Sequence, residues 1–165
     1  MNPVIKYFNG ERAESFLFLA LGFLGLVIGS YLIFIKASSY WKGMAIPFIL
    51  VSVLEIIVGI SLIYRSPKDI IRVENYKKNN QVKIKTEEIP RMEKVMSNFV
   101  IFRYAEIALI ILGMALMYSS MNDTFWRGIG LGLFIQASIV LCLDFFAERR
   151  GHHYMEYLKE FSEKL

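Results

Sequence analysis

MAIPFILVSVLEIIVGISLIY, residues 44–64, is an almost unbroken apolar run of 21 residues with a single ionisable side chain, Glu55, near its centre. At 1.5 Å per residue a helix over this run measures about 30 Å, the thickness of a bilayer's hydrocarbon core. Three further runs have the same character: 15–35, 99–118 and 128–147. Each holds a carboxylate inside it or at its edge, namely Glu14, Glu106 and Asp144. A backbone crossing lipid has to satisfy its polar groups internally, and runs of this length do so as helices. The sequence therefore predicts an all-α polytopic membrane protein: four transmembrane helices in one bundle.

Composition agrees. In 165 residues, 55% are hydrophobic, above the roughly half expected of a soluble domain. Four spans and their connections occupy the whole length, leaving one domain, with 65–98 as a helical loop and 148–165 as an amphipathic tail. The first run is longer than a signal-peptide core and has neither a basic leader nor a small-residue cleavage site, so it is expected to persist as a helix. The single cysteine, Cys142, falls in the fourth run and has no intrachain partner.

Orientation follows from lysine and arginine. Nine of the 19 lie between Arg65 and Asn98, whereas the two short connections carry only Lys36 and Lys42, then Arg127. Positive residues are retained on the cytoplasmic side, so the middle loop and both termini are expected there, in a cell (inner) membrane. Tyr40, Trp41, Phe125 and Trp126 read as aromatic anchors of the opposite interface. The net charge of +4 reads as orientation and attraction to anionic lipid, about 1 kcal/mol per well-placed basic residue, with no nucleic-acid partner implied.

The two halves read as tandem helical hairpins. Trp41-Lys42-Gly43 opens the second span and Trp126-Arg127-Gly128 the fourth; Ala13-Glu14 and Ala105-Glu106 sit at the starts of the first and third. The offsets are 85 and 92 residues and differ by one heptad, which preserves the facing side of a helix. Such a duplication gives halves of equal orientation.

Small and polar residues share a face in every span. Gly22, Gly25 and Gly29 align with Glu14 in the first; Gly59 aligns with Ser52 and Glu55 in the second; Gly113 aligns with Arg103 and Glu106 in the third; Gly128 and Gly132 align with Gln136 in the fourth, above Asp144 and Glu148. A charged side chain facing lipid costs about 2.5 to 3.5 kcal/mol on insertion scales, so Glu14, Glu55, Arg103, Glu106, Gln136, Asp144 and Glu148 are expected to form a polar network inside the bundle. Arg103 and Glu106, three residues apart, are expected to pair along one helix. Glu55 is expected to hold a proton or to pair across the bundle with Arg12 or Arg103. Asp144, Glu148 and His152 recur at fourfold spacing, but the Glu-x-x-His pair of helical di-metal sites is missing, so no metal or other cofactor is expected.

Outside the spans, Ser66-Pro67 reads as the cap and first turn of a new short helix ending at Asn79-Asn80. An extended stretch over 82–85 is expected to follow, with Thr86 capping a helix whose face carries Ile89, Met92, Met96 and Phe99. Tyr154, Leu158, Phe161 and Leu165 form a similar stripe in the tail. These pieces are expected to pack as a cap, lie on lipid or bind a partner.

Walker loop, dinucleotide fingerprint, Cys-x-x-Cys, His-Glu-x-x-His and serine elbow are all missing from the sequence, which argues against an enzyme. The functional expectation is an integral membrane interaction protein, such as a subunit, regulator or immunity-type binder, with a protein partner or a second copy. The alternative is a small oligomeric ion or proton channel or transporter that uses the intramembrane carboxylates.

Overall fold

The computed structural model describes residues 2–34, 38–119 and 124–163. They form α1 (Pro3–Phe34), α2 (Ser39–Asn79), a π-helical turn (Ile84–Glu88), α3 (Ile89–Ser119) and α4 (Thr124–Glu163). All four helices are long and apolar enough to cross a membrane. Ile35 at the end of the first expected span, Lys36 of the first connection and Leu165 of the tail stripe lie outside the described residues.

The helices run well past the apolar spans. At 41 residues α2 is about 62 Å long, twice the hydrocarbon thickness. It continues through Ser66-Pro67, so the separate helix expected to start there does not exist. Proline inside a helix removes one backbone bond and costs about 3 kcal/mol. Burial on both sides of it, at Ser66, Asp69 and Val73, opposes that cost. The expected extended stretch over 82–85 is helical as well. Its π-turn brings Ile84 and Glu88 inward together, both 1% exposed. Thr86 does not cap a helix: its hydroxyl donates to the Val82 carbonyl at 3.2 Å within the turn.

α1 packs on α2, α3 on α4, and α2 on α4, with a smaller contact between α1 and α4. Among the described residues α3 does not run alongside α1 or α2; it meets them only through side chains at one end, where Met92 and Arg91 reach Val73 and Phe8. Small residues set these contacts. The α2–α4 crossing is reciprocal: a Cβ on Gly43 would collide with the Phe125 carbonyl, and one on Gly128 with the Tyr40 carbonyl, each three residues before the opposite glycine. Gly132 extends the seam, where a Cβ would stand 2.7 Å from the Met44 carbonyl. In the α3–α4 pair, Gly113 and Gly130 face each other in the same way, at 2.7 and 2.6 Å from each other's carbonyl oxygen. Gly22, Gly25 and Gly29 hold α1 against Ser52, Ile56 and Ile49 of α2, and Gly59 of α2 closes on the Ser15 carbonyl. For helices in lipid, where no hydrophobic drive brings them together, close approach of this kind is what supplies packing energy.

The main core lies at one end of the bundle. Val4, Tyr7 and Phe8 of α1, Val73 of α2, Ile84 of the π-turn, Met92 of α3 and Tyr154, Met155 and Leu158 of α4 converge there, with Phe161 packed against them. The apolar middles of the helices instead expose side chains outward, such as Phe23 and Val27 of α1, Leu50 and Ile57 of α2 and Ile101 and Ile111 of α3.

Candidate functional site

The separation of α3 from α1 and α2 leaves a cavity of about 520 Å³ between the two helical pairs. Residues at three and four spacing line it. Val51, Leu54, Glu55, Val58, Leu62 and Arg65 come from one stripe of α2; Phe99, Phe102, Glu106 and Leu109 from α3; Leu133, Ala137, Val140 and Asp144 from α4; Glu11, Glu14 and Phe18 from α1. Most of this wall is apolar, and its polar groups are predominantly carboxylates.

Glu55 is 4% exposed, and neither carboxylate oxygen has a hydrogen-bond partner among the described residues. The expected pairing with Arg12 or Arg103 is therefore not made. α2 presents Glu55 to the cavity because Ser52, one turn earlier, is locked in the α1–α2 contact against Gly25. Across the cavity Glu106 of α3 and Asp144 of α4 line the facing wall together. One Glu106 oxygen is buried without a hydrogen-bond partner among the described residues.

The expected Arg103–Glu106 pair does not form. Arg103 reaches across to α4 and donates to both oxygens of Glu148, at 3.2 and 3.0 Å. The reason is burial: Glu106 turns into the cavity at 7% exposure, while the Arg103 side chain stays 40% exposed on the flank of the α3–α4 pair. His152 stands 3.7 Å from Glu148 but is 64% exposed. Among the described residues no three His, Cys, Asp or Glu side chains converge to hold a metal ion. Gln136, 3% exposed, lies in the α2–α4 seam, its amide making long contacts of 3.4 Å to the Phe48 carbonyl and the Ser52 hydroxyl.

One end of the cavity is closed by ion pairs. The Arg150 side chain crosses Gly10, where a Cβ would meet its Cδ at 2.5 Å, and bonds Glu14. Arg65 pairs with Glu11 at 2.9 Å, and Ser66 donates to the other Glu11 oxygen at 2.8 Å. Glu14 thus pairs with Arg150, and Glu148, outside the cavity, with Arg103; the sequence assigns neither pairing.

A second polar cluster lies beyond this closure. Glu88, 1% exposed, accepts two hydrogen bonds from Arg91, at 3.0 and 2.7 Å, one from Arg72 at 3.2 Å and one from Tyr154 at 3.1 Å. Asp69 joins it through Arg72 at 2.9 Å and Arg65 at 3.4 Å. Burial, and then the Glu88 carboxylate, push the Tyr154 phenol far above its usual value. Sequence reasoning passed over Glu88 and Glu11. A signal existed for Glu88, one helical turn before Met92 on the stripe expected to be buried.

Comparison of the chain with protein-family models, curated proteins and solved structures finds no match.

Proposed function

We propose that this is a small membrane protein of the transporter or channel class that takes up a cation in the carboxylate-lined cavity. The observation that carries this reading is Glu55: a buried carboxylate without a partner is strongly unfavourable unless it holds a proton or meets a positive charge. An intramembrane ionisable group that lines a cavity is the usual mark of a substrate or proton path. Glu106 and Asp144, together on the facing wall, supply a second acceptor of positive charge.

In the proposed arrangement the four apolar runs cross a cell membrane, with both termini and the 65–98 segment on the cytoplasmic side, as the nine basic residues favour. The end core and the Glu88 cluster then stand in the cytoplasm as continuations of the spans. Duplication of a two-helix unit is supported by the reciprocal Gly43–Gly128 crossing, in which equivalent glycines of the two Trp-basic-Gly motifs close on each other's helix. No catalytic group is invoked.

An interaction subunit is the second reading, favoured by the flank of α3 that neither α1 nor α2 covers. Purified protein in liposomes separates the two. Cation or proton flux that disappears in Glu55→Gln supports uptake in the cavity. Silent liposomes, with a stoichiometric partner retained in detergent, support the subunit.

A further inference from the structure

Resting on the cation-uptake reading, we infer that the cavity takes a lipophilic organic cation, admitted sideways from the bilayer through the gap between α3 and the α1–α2 pair.

Size is the first argument. A volume of about 520 Å³ is that of a site for a drug-sized ligand, whereas a water occupies about 30 Å³. A bare metal ion would need several converging oxygen or nitrogen ligands. Among the described residues no such group is found. Chemistry is the second argument. Glu55 is a buried carboxylate without a partner among the described residues, on a wall of Leu, Val and Phe side chains, which matches a ligand with a greasy body and one positive charge. Route is the third. The Arg150–Glu14 and Arg65–Glu11 ion pairs stand at one end of the cavity, so a ligand arriving there has to part paired charges. The gap beside α3 carries no such barrier. Leu54, Val58, Phe102 and Leu109 line the cavity yet remain 61%, 44%, 52% and 38% exposed, so its wall continues directly into the apolar outer surface. A hydrated inorganic ion gains nothing from that path; a cation already partitioned into lipid does.

The test uses full-length protein purified in detergent, tetraphenylphosphonium as probe and triphenylphosphine oxide as its neutral counterpart, with binding read by calorimetry. Saturable binding of the cation is expected, with the neutral compound and the Glu55→Gln variant each weaker by at least about tenfold. Ala105→Trp, which fills the cavity without changing charge, is expected to abolish it, while Lys77→Ala at the far end core leaves it unchanged. Should Glu55→Gln fail to fold by circular dichroism, Ala105→Trp and the neutral compound decide. Binding that is equal for the neutral compound, or indifferent to Ala105→Trp, overturns the inference as mere partition into micelles. Sodium, potassium or proton flux in liposomes without phosphonium binding overturns the ligand class and leaves cation uptake standing. Neither binding nor flux overturns both.

Discussion

Arg91→Ala removes two of the four hydrogen bonds that hold the Glu88 carboxylate at 1% exposure. Removing one partner from a buried ion pair costs about 3 to 5 kcal/mol, because the remaining charge is left without compensation. Here Arg72 and Tyr154 stay in place at 3.2 and 3.1 Å, so the lower end of that range, about 3 kcal/mol, is expected. The Arg91 guanidinium also lies over the Phe8 ring, 5.8 Å from its centroid, a contact worth about 0.5 to 1 kcal/mol where partly exposed. Reversible unfolding in mixed micelles, followed by far-ultraviolet circular dichroism, measures the loss. Fluorescence of Trp41 and Trp126, near the starts of α2 and α4 and so at the other end of the bundle, reports whether the whole structure yields together. The double variant with Glu88→Gln should recover part of the loss, since the stranded charge is then gone. A loss below about 1 kcal/mol, or strict additivity in that cycle, would mean that Glu88 is solvated, and the argument for a buried cluster fails.

Gly25→Leu should destabilise the bundle by at least about 1 to 3 kcal/mol, since its Cβ falls on the Ser52 hydroxyl, whereas Leu24→Ala, at a site 54% exposed, stays within about 0.5 kcal/mol; equal melting temperatures would refute the α1–α2 seam. The raised Tyr154 phenol makes the unfolded chain ionise first near its usual value of about 10, so the stability it protects is full below that pH and falls as pH rises above it. Tyr154→Phe should flatten that alkaline limb in pH-dependent unfolding, and an unchanged limb would contradict the buried Tyr154–Glu88 contact. For orientation, with Cys142→Ser as background, a cysteine replacing Asn79 should be shielded from an impermeant thiol reagent in intact cells and one replacing Thr124 should react; reversed labelling would invert the proposed topology.

The spans were legible because runs of some 20 apolar residues have no competing use, and Glu55 was legible because it stands alone within such a run. Which groups pair was not. Arg103 has Glu106 one turn away on its own helix, yet its partner is Glu148, and only the rotation of α4 against α3 about the Gly113–Gly130 contact brings Glu148 within reach. Local rules also misjudged Ser66-Pro67, whose reading as a helix start is overridden by burial of Ser66 against Glu11, 55 positions away. The π-turn was illegible for a similar reason: 82–85 alternates apolar and basic residues like a strand, and the inward pull on Ile84 comes from four other segments.

The pairing order of the helices has a consequence for biogenesis. As the chain emerges from the ribosome, α1 and α2 can join first, because every residue of their glycine contact is already made. The face of α2 that carries Gly43 and Met44 must then wait until Gly128 and Gly132 arrive on α4; if the proposed spans lie in lipid, it waits cheaply, since lipid tails are as apolar as the helix that will replace them. The carboxylates cannot wait on those terms. Glu14 has no guanidinium until Arg150 is synthesised, more than 130 positions later, so the first hairpin cannot complete its polar contacts before the last helix is made.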